Sequence, residues 1–435
     1  MVRLKEWETG FYPGLAGLKL DPEHKETSKK LSDSRMLVIR ELRDGLSVDT
    51  TSYVGRVSLG ELRITIDPKI EKLPLADLMR YALDFRQMTS LPRTDQDTAD
   101  STFQVLLVAQ LIAEAKEQVF RGLKRSYVPQ DEYLASPRGK IDFGAFARDG
   151  STKGGKLYCR HFPRIEDSPL NRLLLSGLRL ALRITTPTTL RAELQGLISV
   201  LQVSVSPVPM TAGLIKSTNR GMNRLTKSYQ PILKIITILF NGCGISLGKE
   251  EERINLSGFL FDMSRFFQAL ISRFLHENLE TIKVEDEYRI RGMIDYLPGF
   301  NPKGHPAPSP RPDFVVRGKT VSILDAKYRD LWDKPLPRDM LYQLCIYALS
   351  QEESPASIIL YPRTDELASD VVIGVYDPLS RLEKAKVILR PVNLICLRRV
   401  VLMASFEWSR LRREMAERLI CTVPSRRKAK ATSTE

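Results

Sequence analysis

The stretch that decides the fold covers residues 311 to 328 and reads Arg-Pro-Asp-Phe-Val-Val-Arg-Gly-Lys-Thr-Val-Ser-Ile-Leu-Asp-Ala-Lys-Tyr. Strand-forming residues stand on both sides of a turn cluster centred on Gly318, which predicts a β-hairpin. Because side chains alternate between the two faces of a strand, Asp325 and Lys327 are predicted to share one face. Folding back at Gly318 also brings Asp313 alongside Asp325. The hairpin is therefore predicted to gather two carboxylates and one ammonium.

This trio suits phosphodiester hydrolysis. Carboxylates held close together need a cation, and a pair of oxygen ligands with open water positions suits Mg²⁺. Such an ion can acidify a water and neutralise charge on an attacked phosphate, while Lys327 orients the water or stabilises the phosphorus centre. The alternative is that Asp313 serves ordinary turn chemistry and that Asp325 and Lys327 form a same-face surface pair.

Composition favours a soluble globular protein. The 435 residues are 43% apolar and 27% charged, and the length is sufficient for two or three domains with their own cores. No apolar run reaches the length of a membrane span and no signal-peptide core opens the chain, so we expect a cytoplasmic protein. The five cysteines are scattered and only four histidines occur, which argues against a disulfide framework or a zinc site.

The charge balance points to an anionic partner. Sixty-six Lys and Arg against fifty-two Asp and Glu give a net charge of +14, which favours nucleic acid; simple solvation of the surface is the alternative. Residues 425–435 are predicted to be a basic disordered tail that adds nonspecific affinity for phosphate.

The order of the elements predicts a mixed α/β chain with three parts before this tail. Residues 1–165 form a β-rich region, 166–250 a helical connecting region and 251–424 an α/β core. In the helical region, Ser168 is predicted to cap a helix that has Pro169 in its first turn. In the core, helical spacing predicts a helix over 259–279, with Asp262 or Ser264 as its cap, and strand-rich chain over 282–297.

One glycine-rich segment imitates a nucleotide-binding loop. Gly150-Ser-Thr-Lys-Gly-Gly-Lys156 has the glycine and lysine spacing of a phosphate loop. However, Leu157 stands where a Ser or Thr should ligate magnesium, and no clear strand precedes the segment. We therefore predict a flexible basic loop and no NTPase site in this chain.

Several short motifs, in this order along the chain, carry a resemblance to known families. Residues 259–361 resemble the PD-(D/E)xK nuclease superfamily, and the whole chain resembles the McrC family, the nuclease subunits of McrBC modification-dependent restriction systems. The motifs are Gly55 with Asp67-Pro-Lys-Ile70, Arg138-Gly-Lys-Ile141, Asp167-Ser-Pro-Leu-Asn-Arg172, Phe259-Leu-Phe-Asp-Met263 with Phe266-Phe267, Arg311-Pro-Asp313, Leu324-Asp-Ala-Lys-Tyr328, and Tyr342-Gln343 with Tyr347.

The resemblance implies a fold, a site and a cofactor. It implies a restriction-endonuclease-like core, with Asp313 and Asp325 as ligands of Mg²⁺ or Mn²⁺ and Lys327 as the catalytic lysine. Gln343 and Tyr347 are one helical turn apart and match the Gln-x-x-x-Tyr pair that supports such sites.

One position departs from the pattern. Many relatives carry a glutamate on the preceding helix where this chain has Gln268, an amide that can accept a hydrogen bond from a water on the metal but adds no charge. Glu277, Glu285 or Glu287 could replace that carboxylate. The departure leaves a second metal, or the metal affinity, open.

The family also implies partners. McrC proteins work with a GTP-hydrolysing AAA+ ring that recognises modified double-stranded DNA, dock through their N-terminal part and stimulate GTP hydrolysis. Here Arg138, Lys140, Lys153 and Lys156 are candidate partner contacts, with ordinary surface charge as the alternative. Three functions stay open: an endonuclease subunit of such a restriction complex, a noncatalytic adaptor with a degenerate nuclease fold, and a standalone DNA repair nuclease.

Overall fold

A computed structural model describes most of the chain. The described residues are 1–70, 75–83, 102–144, 155–246, 253–255, 257–318, 320–352, 355–365, 367–403 and 406–422. Residues 150–154 of the phosphate-loop imitation, with Lys153 among them, and the basic tail over 425–435 lie outside the described residues. The predicted mixed α/β class is confirmed. No helix of the described part is long and apolar enough to cross a membrane.

The N-terminal part is built from short strands around one helix. Strands cover residues 37–42, 53–59 and 62–67, and alternating burial places their apolar faces in one cluster. Strands β5 and β6 form an antiparallel hairpin, and β1 pairs with β6 in parallel. The elements are β1 (Val2–Lys5), β2 (Thr9–Tyr12), α1 (Pro22–Asp33), β3 (Leu37–Leu42), β4 (Gly45–Thr50), β5 (Tyr53–Leu59) and β6 (Leu62–Asp67).

The middle of the chain is mainly helical and holds much of the largest core cluster. Ser168 accepts a hydrogen bond from the Asn171 backbone N–H and Pro169 opens the helix, so the predicted start is confirmed. Small strands separate the helices. The elements are α2 (Leu75–Leu83), α3 (Thr102–Phe120), β7 (Ser126–Tyr127), β8 (Gln130–Leu134), β9 (Lys140–Ile141), β10 (Leu157–His161), β11 (Arg164–Ile165), α4 (Pro169–Ile184), α5 (Thr188–Gln202), α6 (Ala212–Arg220), α7 (Gln230–Gly242), β12 (Gly244–Ser246) and β13 (Arg253–Asn255).

A six-stranded mixed sheet forms the C-terminal core, in the order β15-β16-β17-β18-β20-β19. One face packs into the largest cluster beside helix α8, and the other packs against helix α9. The elements are β14 (Ser257–Asp262), α8 (Met263–Asn278), β15 (Lys283–Asp286), β16 (Phe314–Arg317), β17 (Val321–Ala326), α9 (Arg338–Leu349), β18 (Ala356–Arg363), β19 (Val371–Tyr376), β20 (Glu383–Asn393), α10 (Leu394–Leu402) and α11 (Phe406–Ile420).

The start of the helix predicted over 259–279 is wrong. Its first residues form strand β14, which pairs antiparallel with β5 of the N-terminal sheet, and the helix begins only at Met263 with Asp262 as its cap. A short apolar run such as Phe-Leu-Phe fits either structure, so only tertiary pairing decides it. A Cβ on Gly55 would lie 2.2 Å from the Phe259 carbonyl oxygen, and its φ is +130°, so this strand contact requires glycine.

The strand-rich assignment of residues 282–297 is correct only at its beginning. Strand β15 ends at Asp286, and Glu287 follows with a positive φ of 50° that breaks the extended conformation. From there to Pro312 the described chain is irregular and largely exposed. The glycines and prolines of this stretch, rather than its Ile and Tyr residues, determine its structure.

Candidate active site

The predicted hairpin brings its three polar residues together. Phe314 and Leu324 form the last register pair of β16 and β17, so Asp313 and Asp325 stand one residue beyond it on adjacent strands. The backbone N–H of Ala326 donates to Asp313 Oδ2 at 2.8 Å, which fixes the first carboxylate against the second strand. The convergence expected from strand alternation is therefore confirmed.

Lys327 closes the cluster. Its Nζ lies 2.8 Å from Asp325 Oδ2 and 3.7 Å from Asp313 Oδ2. Its backbone N–H donates to the Leu360 carbonyl of β18, so the lysine is anchored to the centre of the sheet. The Asp325 side chain is only 3% exposed, whereas that of Lys327 is 29% exposed. A substrate approaching from solvent would reach the ammonium before it reached Asp325.

The electrostatics of the cluster are unbalanced. Burial, and then the neighbouring Asp325 carboxylate, raise the pKa of Asp313 to about 7. Burial disfavours the charged form of Lys327, but the two carboxylates outweigh it and raise the pKa of this ammonium above its ordinary value. Two carboxylates thus share one cation, so a further positive charge would stabilise the cluster.

Gln268 reaches from helix α8 to the cluster of Asp313, Asp325 and Lys327, which we call the acidic corner. Its Nε2 donates to Asp313 Oδ1 at 3.0 Å, so the amide orients a carboxylate directly. The three glutamates considered as replacements are engaged elsewhere. Glu277 pairs with Arg273, while Glu285 pairs with Lys283 and Arg317, and Glu287 pairs with Arg311.

Helix α9 supplies the predicted Gln-x-x-x-Tyr pair. Gln343 Nε2 donates to Tyr347 Oη at 2.6 Å. Burial raises the pKa of Tyr347 to about 12, and the charges of Asp325, Lys327 and Asp313 all act on its phenol. The tyrosine is therefore neutral near pH 7 and lies beside the acidic corner, and Gln343 fixes its hydroxyl by a hydrogen bond.

The donor set fits a hard divalent cation. Asp313 and Asp325 offer carboxylate oxygens, and the Asp313 side chain is 17% exposed, which leaves a place for the waters that complete the coordination shell of Mg²⁺ in proteins. Among the described residues, no group of three or more His, Cys, Asp and Glu side chains is arranged for metal binding. Any metal here would thus be held by two carboxylates, with Gln268 positioning one of them.

The candidate partner contacts are surface residues. Arg138, Lys140 and Lys156 are exposed beside the small sheet of β8, β9 and β10. Gly139 between the first two has a φ of +72°, and a Cβ there would lie 2.3 Å from the Arg160 carbonyl oxygen. The Arg-Gly-Lys motif is thus a tight turn that presents two cations to solvent.

Sequence reasoning missed a buried link between the N-terminal sheet and the residue after Lys327. Tyr328 Oη donates to Glu6 Oε1 at 2.9 Å, and the Lys69 backbone N–H donates to the same oxygen at 2.7 Å. Burial raises the pKa of Glu6 to about 7. Lys69 and Tyr328 belong to motifs that carry the family resemblance. Glu6 is far from both in sequence, and no local pattern indicates its contact with them.

Another motif is structural. Asp167 forms a two-pronged ion pair with Arg172, and Asn171 accepts a hydrogen bond from Tyr229 Oη at 2.6 Å. The Arg172 guanidinium holds the pKa of Asp167 well below its usual range. These contacts join the start of α4 to the segment before α7.

The sequence matches a known family over most of its length. The family model described as McrBC 5-methylcytosine restriction system component matches residues 48–362. The chain belongs to this family. The resemblance to McrC proteins found in the sequence is therefore confirmed. The chain is also 23% identical over 258 residues to the type IV methyl-directed restriction enzyme EcoKMcrBC of Escherichia coli strain K12, a match that spans 56% of this chain and 72% of that protein.

A solved structure shares the fold. A chain of the refined half-complex from a tetradecameric assembly of Thermococcus gammatolerans McrB AAA+ hexamers with bound McrC aligns with a TM-score of 0.61 at 20% identity. The alignment covers 96% of this McrBC-family chain and 100% of that chain. A chain of the cryo-EM structure of the Thermococcus gammatolerans McrBC complex aligns with a TM-score of 0.46 at 19% identity, over 66% of this chain and 89% of that one.

Proposed function

We propose that this chain is the DNA endonuclease subunit of an McrBC-like, modification-dependent restriction complex. It hydrolyses phosphodiester bonds with Mg²⁺ while docked on a GTP-driven AAA+ ring, and it stimulates GTP hydrolysis by that ring. The observation that carries the proposal is the convergence of Asp313, Asp325 and Lys327 at the end of one hairpin in a McrBC-family chain. The C-terminal core would then be a PD-(D/E)xK nuclease.

Each residue of the site has a role that follows from its position. Asp313 and Asp325 would hold Mg²⁺, which when bound acidifies a water and neutralises charge on the attacked phosphate. Lys327, the most exposed of the three, orients the attacking water and stabilises charge that develops on the phosphate oxygens. Gln268 holds Asp313 in place, and Tyr347 with Gln343 forms the wall of the site on the α9 side.

Partner docking belongs to the same proposal. The solved chain that this protein resembles comes from an assembly of McrB AAA+ hexamers with bound McrC. By that likeness, the region of residues 1–165 docks on an McrB-like hexamer. The exposed Arg138, Lys140 and Lys156 supply cationic contacts there.

A second candidate is a noncatalytic adaptor that activates the motor. The observation that favours it is Gln268, a neutral amide where many nucleases of this type have a carboxylate, together with the two-carboxylate donor set. An adaptor would stimulate GTP hydrolysis equally well with or without Asp325. Such a chain would have no need for a partly exposed lysine between the half-buried Asp313 and the buried Asp325.

The test is a reconstitution. The chain, its McrB-like GTPase from the same organism, GTP, Mg²⁺ and methylated plasmid are combined, and cleavage and GTP hydrolysis are measured together. We expect cutting only in the full mixture. Asp325→Ala should abolish cutting and leave GTP hydrolysis near the wild-type rate.

Asp339→Ala is the matched control, because Asp339 is an exposed carboxylate on the first turn of α9. It should cut as the wild type does. Equal cutting by Asp325→Ala and the wild type would contradict the nuclease assignment, and motor activation without any cutting would establish the adaptor. Cutting by the chain alone would establish a standalone nuclease.

A further inference from the structure

A second charged feature lies between the helical region and helix α8. It is a groove of about 960 Å³, which we call the basic groove. Its cationic members are Arg224, Lys227 and Lys234 near the start of α7 and Arg273 on α8; the amide side chains of Asn219, Asn223 and Gln230 also line it.

The sequence around this groove is depleted of acid. From residue 194 to residue 249 the chain contains six lysines and arginines and not one aspartate or glutamate. A soluble protein of this overall composition ordinarily mixes both signs along its surface. The segment therefore produces a local field of one sign, which attracts an anion.

Three of the four cations in the groove form no ion pair within the described part of the chain. Within the described part of the chain, Arg224 and Lys227 are exposed and form no ion pair, and the Lys234 ammonium reaches only the Leu83 carbonyl oxygen at 3.4 Å. The groove's one carboxylate, Glu277, accepts hydrogen bonds from Arg273 Nε and Tyr81 Oη, each at 2.6 Å. Three cations thus remain for an external ligand.

The groove also leads toward the acidic corner. Ser272 lines it and lies one helical turn after Gln268, the residue that donates to Asp313. A polyanion lying along α8 would therefore run from the three cations to the carboxylates. Cations that position a backbone, with amides that donate to phosphate oxygens, form the usual sequence-independent interface with nucleic acid.

We infer that the basic groove binds the phosphate backbone of the DNA duplex that the acidic corner cuts. The choice of DNA as the polyanion rests on the proposed nuclease function. The groove contacts no bases in this scheme, so it adds affinity and orientation without sequence preference.

The test measures DNA binding apart from cleavage. Anisotropy of a fluorescein-labelled duplex is followed in EDTA at several salt concentrations, with the full-length chain. Arg224→Glu with Lys227→Glu should weaken binding roughly 10-fold or more and lower the slope of log K against log salt by about 2, because two phosphate contacts are lost. Arg224→Gln with Lys227→Gln should act in the same direction and guards against a folding defect caused by the charge reversal.

The matched control is Lys29→Glu with Arg43→Glu, which changes the net charge equally at two exposed sites in the N-terminal part. It should alter affinity less than about 2-fold. Duplex binding by the groove variants that equals the control would overturn the inference. Loss of GTPase binding with intact duplex binding would also overturn it and make the groove a protein interface. Asp325→Asn separates the two proposals, because it should abolish cutting and leave duplex binding intact.

Discussion

Two buried charge clusters lie in the same six-stranded sheet and differ in how completely they are neutralised. Arg390 on β20 is 2% exposed and donates to both oxygens of Asp370; its Nη1 also donates to the carbonyls of Arg418, Leu419 and Cys421 at the end of α11. In the acidic corner, two carboxylates share the single ammonium of Lys327.

This difference distinguishes a cluster with a structural role from one that can bind a proton or a metal ion. In a buried ion pair with its hydrogen bonds made, removing one member is costly because the other charge is left unpaired. A buried cluster that is short of positive charge has a raised carboxyl pKa and can take up a proton or a metal ion. The surplus of carboxylate thus favours the acidic corner as the place of the proposed chemistry.

Among substitutions that keep both carboxylates, Lys327→Met should reduce cleavage the most. Without the ammonium, the charge that develops on phosphate loses its stabilising partner, so the cleavage rate of the reconstituted complex should fall roughly 10²–10³-fold. Plasmid cleavage at saturating GTP measures it. Retention of more than about a tenth of the rate would remove Lys327 from the reaction.

Arg390→Met should reduce stability and leave cleavage unchanged. We expect the free energy of unfolding to fall by roughly 3–5 kcal/mol, because Asp370 is left buried without its cation. Urea denaturation measures this loss, and cleavage per folded molecule should stay near that of the wild type. An unchanged stability with lost cleavage would show that the two clusters have been assigned to the wrong roles.

Asp313→Asn tests the surplus of carboxylate through the pH dependence of the free energy of unfolding. The pKa of Asp313 rises from 3.8 to about 7 on folding, so between these values the folded chain keeps a proton that the unfolded chain has lost. The free energy of unfolding in EDTA should therefore decrease as pH rises from about 4 to about 7 and then level off. Asp313→Asn should make this dependence shallower.

Glu6 provides the comparison for that experiment. Burial raises its pKa to about 7 as well, so it contributes a decrease of the same sign over the same range. Glu6→Gln should make the pH dependence shallower by its own share and should leave Mg²⁺ binding unchanged. A pH profile that neither substitution alters would contradict both pKa assignments.

The smallest effect on cleavage is expected for Tyr347 and Gln343 of helix α9. Tyr347→Phe removes the hydroxyl that accepts the Gln343 hydrogen bond and leaves the ring packing intact. Cleavage should fall by roughly 10-fold or less, since a neutral hydrogen bond contributes about 1 kcal/mol. Gln343→Ala should match it. A loss as large as that for Lys327→Met would place the tyrosine among the catalytic groups.

The sequence predicts the acidic corner well because its causes are local. Alternation along β17 and the turn at Gly318 suffice to bring Asp313 beside Asp325. The start of α4 at Ser168 and Pro169 is similarly determined by neighbouring residues.

Long-range pairing accounts for what the sequence does not predict. Strand β14 looks helical until it is paired with β5. Strand β20 begins Glu-Lys-Ala-Lys, a sequence that does not by itself indicate a strand. The contact between Glu6 and Tyr328 joins residues 322 positions apart, so no window of sequence contains it. The basic groove likewise forms only when α7 packs near α8.

The most direct test of the central claim is a calorimetric titration of the full-length chain with Mg²⁺ near pH 8, for the wild type and for Asp325→Asn. With Asp313 ionised at this pH, the wild type should bind Mg²⁺ saturably at the acidic corner and the variant should show little or no binding. Indistinguishable titrations for the two proteins would contradict the assignment of Asp313 and Asp325 as the metal site.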